Sequence, residues 1–129
     1  MENPKGLITP EQAKTLNDAY TSRCELVSKE ITKRDDNRSS WYSLDDIKTF
    51  LELAEKQAKE LGYEMDGIRI YCGAYPTVKG EVGYSTSFII PTATNKIGEE
   101  GDGSSQDITD ANGLNLGGHG KPPSANYPQ

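Results

Sequence analysis

Apolar residues are scarce in this chain. They make up 33% of its 129 positions, against ~45–50% in globular domains when Gly is counted as well. Folded throughout, a chain of this length would bury roughly two-thirds of its unfolded surface, so part of it is expected to stay outside any core. Long apolar runs are missing too. None approaches the ~18 residues of a membrane span, and Met1-Glu2-Asn3-Pro4-Lys5-Gly6 lacks the apolar centre of a signal peptide. The expected location is therefore the cytoplasm, with no membrane partner.

Cysteine is nearly absent. Cys24 and Cys72 stand far apart without CxxC spacing and read as two reduced thiols. An excess of positive charge is also missing, since the formal charge is −6. A protein that neutralises several phosphates carries a basic patch. The only basic cluster, Lys33, Arg34 and Arg38, has Asp35 and Asp36 inside it. Nucleic acid is thus not an expected partner, and the cluster reads as a solvated helix end.

The residues that are present specify local structure well. Thr9-Pro10-Glu11-Gln12 combines an N-cap, a proline at the first helical position and a capping-box glutamine. Apolar positions then recur at Ala13, Leu16, Tyr20, Cys24, Val27 and Ile31, which predicts a helix to about Lys33. Arg34 to Arg38 has no apolar residue to bury and reads as a connecting loop. A brief strand is expected at Ser39-Ser40-Trp41-Tyr42. Ser43 caps a second helix, with Asp45 and Asp46 in its first turn. Its stripe is Leu44, Ile47, Leu51, Ala54, Ala58 and Leu61, flanked by Phe50 and Leu53, and Gly62 ends it.

Ile68–Pro76 and Tyr84–Ile90 alternate as strands and read as a hairpin around Lys79-Gly80-Glu81. A three-residue loop there sets Ile70 opposite Ile90 and Cys72 opposite Phe88. Ile68, Ile70, Cys72, Phe88 and Ile90 then form one apolar face. The other carries Arg69, Tyr71, Tyr75, Ser85, Ser87 and Ile89. A two-residue turn would pair Ile70 with Ile89 and spread the apolar residues over both faces, so the longer loop is preferred. If the Trp41 strand runs parallel to Ile68–Tyr75, the second helix is a right-handed crossover. Residues 98–129 hold seven glycines and three prolines, with Ile108, Leu114 and Leu116 the only large aliphatics. Such a composition buries little. The expected organisation is an arm over 1–8, one α+β domain over 9–95, and an irregular or disordered acidic tail over 96–129.

Few residues suggest chemistry. His119, the single histidine, lies among glycines without a ligand-spaced Cys or Asp, and reads as a solvated tail residue. Cys24 and Cys72 fall on apolar stripes, where a thiol acts as a small hydrophobe. Glu99, Glu100, Asp102, Asp107 and Asp110 lack the mid-loop glycine and final glutamate of a calcium loop. No catalytic residue, metal or cofactor is assigned. The most suggestive group is Arg69, Tyr71 and Tyr75 on one sheet surface, with Trp41 expected nearby, because aromatic and arginine side chains presented rigidly favour protein contacts. The bland alternative has the first helix covering that face.

Asn37-Arg38-Ser39-Ser40-Trp41-Tyr42-Ser43-Leu44, Gly67-Ile68-Arg69-Ile70-Tyr71, Ala74-Tyr75-Pro76 and Ile90-Pro91-Thr92 together resemble a group of small uncharacterised proteins from Bacteroidetes-type bacteria. The resemblance spans roughly residues 37–92 and implies a bacterial cytoplasmic protein. It transfers no residue role. The sequence reading is a non-enzymatic protein-interaction or self-assembling module, its partner another protein or a second copy in a homo-oligomer. A small-molecule-binding regulator is the alternative, and an enzyme of unrecognised type stands third.

Overall fold

The computed structural model describes residues 2–115 and the backbone of Gly118 and His119. Helix α1 spans Pro10–Glu30, strand β1 Ser40–Trp41, helix α2 Leu44–Glu60, strand β2 Gly67–Ala74, strand β3 Ser85–Ala93, strand β4 Gln106–Asp107 and strand β5 Gly118–His119. The fold is mixed α+β, as expected. Both helix starts form as their caps predict. The Thr9 hydroxyl accepts the Gln12 N–H at 3.1 Å while the Gln12 side chain accepts the Thr9 N–H at 2.8 Å. The Ser43 hydroxyl accepts from the Asp46 N–H at 3.0 Å. Gly62 adopts φ +91° just beyond α2, where a left-handed residue releases the chain from a helix.

Three strands form an antiparallel sheet in the order β2-β3-β4. Its register corrects the expected one. Ile70 pairs with Ile89, Tyr71 with Phe88 and Arg69 with Ile90. The cause is the turn. Val78 and Glu81 exchange backbone hydrogen bonds of 3.0 and 2.9 Å across only Lys79 and Gly80, whose φ values are +52° and +78°. Two left-handed central residues make the two-residue turn whose twist suits a hairpin. Phe88 and Ile90 therefore share a face with Arg69 and Tyr71, and Ile89 and Pro91 take the other.

That second face holds the core. Phe50 and Ala54 of α2 bury against Ile89, with Tyr42, Ile47, Leu51, Met65 and Leu114 around them. Further along, Ala58 packs with Ala93 and Ile108, joined by Leu61, Tyr63, Met65 and Ala111. The helix is rotated from its expected phase: Phe50 is buried, Leu51 only half-buried, and Leu44 exposed. Leucines at both margins of the stripe made its centre ambiguous.

The core does not stop at Asn95. Ile108 is 1% exposed, and its N–H donates to the Pro91 carbonyl at 3.0 Å. β4 pairs Asp107 with Thr92, and Leu114 exchanges backbone bonds with Ile89 at 2.8 and 2.9 Å. The third rank of the sheet is thus supplied twice by the segment expected to be a tail. Its few aliphatics, Ile108 and Leu114, are what dock it. Residues 116–117 and 120–129 lie outside the described residues.

Two further expectations are corrected. β1 does not join the main sheet; Ser40 pairs with His119 and Trp41 with Gly118 in a separate antiparallel pair, so α2 is no crossover between parallel strands. The 34–38 loop is not solvated throughout. Asp36 is 1% exposed and Asn37 is buried. The Asp36 carboxylate accepts from the Ser85 N–H at 2.7 Å and from the Ser85 hydroxyl, and Asn37 donates to the Ser85 carbonyl at 3.0 Å. Arg34 lies over the Tyr84 ring at 4.1 Å and donates to the Val82 carbonyl at 2.6 Å. Charged groups fasten the end of α1 to the hairpin, and a buried carboxylate is tolerable because each of its oxygens accepts a hydrogen bond.

Candidate functional site

Because the core lies on one side of the sheet, the other side is left as a surface. Alternation along β2 projects Arg69, Tyr71 and Tyr75 onto it, and the observed register adds Ile90, Phe88 and Thr86 from β3. Asp107 and Asn115 complete the third rank. Arg69 and Tyr71 of β2, and Tyr75 just beyond its end, are therefore on one face as the sequence suggests, although the register used to place them differs from the real one. The period of two along a single strand survives an error in pairing.

Two clusters organise this face. In the first, the Arg69 guanidinium donates to Asp107 Oδ1 at 2.7 Å and to the Ser105 carbonyl at 3.1 Å. The Tyr71 hydroxyl donates to the second Asp107 oxygen. The Tyr71 ring lies against Phe88 with centroids 5.0 Å apart and planes 9° from parallel. Donating to the Asp107 carboxylate raises the Tyr71 hydroxyl above the ordinary tyrosine range, because a phenolate there would face a negative charge. The same carboxylate raises Arg69. In the second cluster, the Tyr75 hydroxyl donates to Asn115 Oδ1 at 3.3 Å. The Asn115 amide donates to the Ser87 carbonyl at 2.9 Å and the Thr86 hydroxyl at 3.1 Å.

Every partner named here comes from the sheet or from residues 105–115. The bland expectation, with α1 laid over Arg69 and Tyr71, is not what forms; α1 is tied instead to the hairpin end through Asp36 and Arg38. Arg38 donates to the Asn17 carbonyl at 2.7 Å and to the Thr21 hydroxyl at 3.2 Å. Trp41 does not belong to the face. Its strand sits in the other sheet and its ring is exposed.

Sequence reasoning missed Phe88, Ile90, Asp107 and Asn115 as members of this face. A three-residue loop would place Phe88 and Ile90 on the core side, and the observed register moves them to this one. Asp107 had one signal, its place beside Ile108 in a segment otherwise without aliphatics. Asn115 had none beyond following Leu114.

A hollow of about 390 Å³ opens elsewhere, bounded by Tyr20, Arg38, Cys72 and Ser85–Ser87 among others. Of the polar groups that line it, Ser85 is engaged by Asp36 and Arg38 by Asn17. Among the described residues no group of three or more His, Cys, Asp or Glu could hold a metal ion. No helix among them is long and apolar enough to cross a membrane. The His119 side chain lies outside the described residues. Compared with family models, curated proteins and solved structures, the chain matches none of them.

Proposed function

We propose that this protein is a non-enzymatic interaction module that binds a protein partner through the open face of its sheet. The observation that carries the reading is the Arg69–Asp107–Tyr71 cluster stacked on Phe88. Tyrosine and arginine are the residues on which binding energy concentrates. Here both are held in place before a partner arrives, which lowers the ordering entropy of association. Arg69 is exposed and Tyr71 half-buried, so the cluster is both rigid and reachable. The two cysteines are unpaired, which favours a reducing compartment such as a bacterial cytoplasm.

Arg69→Ala tests the reading. The guanidinium is a surface group, so its loss should leave the unfolding transition nearly unchanged. Association with partners captured from the host should weaken by ~1–3 kcal/mol if the residue is central. Tyr71→Ala is a poorer probe, because it also removes the Phe88 stack. A stable Arg69→Ala protein that retains every partner would overturn the proposal. The small-molecule reading rests on the hollow beside Tyr20 and Arg38, and it is second because Arg38 and Ser85 there are already bonded within the protein.

A further inference from the structure

β2 is the end strand of its sheet, and among the described residues nothing pairs with its outer side. The ladder shows which backbone groups point there. Ile89 exchanges both its backbone bonds with Leu114 on the far side of β3, so its opposite number Ile70 exchanges none with it. Alternation then turns the N–H and C=O of Ile68, Ile70, Cys72 and Ala74 outward. The Tyr75 N–H donating to the Tyr84 carbonyl at 3.0 Å has the same phase.

This edge carries few of the guards that keep exposed strands apart. It has no proline and no lysine, and its one charge, Arg69, is held over the open face by Asp107. On the core side, α2 covers β3 but not β2. Ile68 and Ile70 remain 40% and 66% exposed there, with Cys72 exposed beside them.

We propose that β2 pairs antiparallel with β2 of a second copy, joining two three-stranded sheets across a two-fold axis. An antiparallel strand meeting its own copy satisfies that symmetry without further adjustment. The outward groups allow a register centred on Ile70 or on Tyr71. The first sets Ile70 against Ile70 of the second copy and Ile68 against Cys72. The second sets Ile70 against Cys72 and Ile68 against Ala74. In both, apolar side chains meet on the core side. Arg69 faces Tyr71 or Gly73 of the second copy, never the other Arg69, so like charges are not opposed. An extended segment of another protein has the same backbone groups to bind, but this palindromic match of side chains is particular to a second copy. The open face borders this edge, but the pairing rests on outward backbone groups and on core-side Ile68, Ile70 and Cys72; self-association is read with no other partner present, so failure of either proposal leaves the other standing.

Sedimentation of the full chain over a micromolar to millimolar range is the test. The mass should rise from 14.1 kDa toward twice that value. Ile70→Pro deletes one outward N–H and no bond of the β2–β3 ladder. It should keep the circular dichroism of the parent while weakening self-association by about tenfold or more. Ile70→Lys keeps the N–H, avoids proline's restriction on φ, and should act in the same direction by setting a charge against apolar neighbours. A chain that stays at 14.1 kDa throughout, or a folded Ile70→Lys variant that associates like the parent, would overturn the proposal.

Discussion

The two helices carry similar sequence signals and meet different fates. Each begins at a good cap and shows an apolar stripe. α2, over 17 residues, buries Phe50, Ala54 and Ala58, whereas α1, over 21, buries Cys24 alone. Leu16 of α1 remains 63% exposed and Ile31 53%. α2 is held by apolar contact with the sheet and the 106–115 segment. α1 is fastened through the loop that follows it: Arg38 bonds Asn17 and Thr21 at mid-helix, the Asp36 N–H bonds Ser28 near the helix end, and Asp36 and Asn37 hold that loop to Ser85. A stripe at helical spacing shows that a helix can pack, and whether it does depends on what the rest of the chain brings to it.

The sharpest way to break this contrast is within the α2 core. Phe50→Ala removes a buried ring between α2 and Ile89 and should cost about 3–5 kcal/mol by denaturant unfolding. Ile108→Ala, under the other half of the helix, should cost about 2–5 kcal/mol. A negligible loss at Ile108 would return the 106–115 segment to the status of a tail.

Next in size is the polar fastening of α1. Asp36→Ala leaves the Ser85 N–H and hydroxyl without their acceptor, a loss of about 3 kcal/mol for hydrogen bonds to a charged group. Far-ultraviolet circular dichroism of the folded variant should still show the α2 and sheet signals while protection of α1 amides from exchange falls. Unchanged α1 protection would mean the helix is held elsewhere.

The smallest effect belongs to the exposed stripe. Leu16→Ser should change stability by no more than about 0.5 kcal/mol, as surface substitutions do. A loss above ~1.5 kcal/mol in dilute protein would place Leu16 among core residues and erase the difference between the helices.

The open face tells the same story of local and distant information. Arg69, Tyr71 and Tyr75 share it because alternation along one strand is a local property. Their partners Phe88, Asp107 and Asn115 depend on pairing, which a turn of two rather than three residues shifts by one. The longer turn is what apolar alternation favours, since the shorter one spreads apolar residues over both faces; the shorter turn forms with Lys79 in a left-handed conformation that is uncommon for a residue with a side chain.

What the sequence by itself determined is therefore the content of short windows: both helix starts, the glycine stop at Gly62, the existence of β2 and β3 though not the end of β3, which runs through Pro91 to Ala93, and the α+β class. Each follows from capping, backbone freedom or periodicity over a few residues. What only the tertiary structure decided is the hairpin register, the rotation of α2 that buries Phe50 rather than Leu51, the docking of Ile108 and Leu114, and the burial of Asp36. These depend on which distant surface arrives opposite a residue. A composition poor in apolar groups conceals them, because two aliphatics in a glycine-rich segment, Ile108 and Leu114, are enough to dock it once α2 and β3 have built the site that receives it.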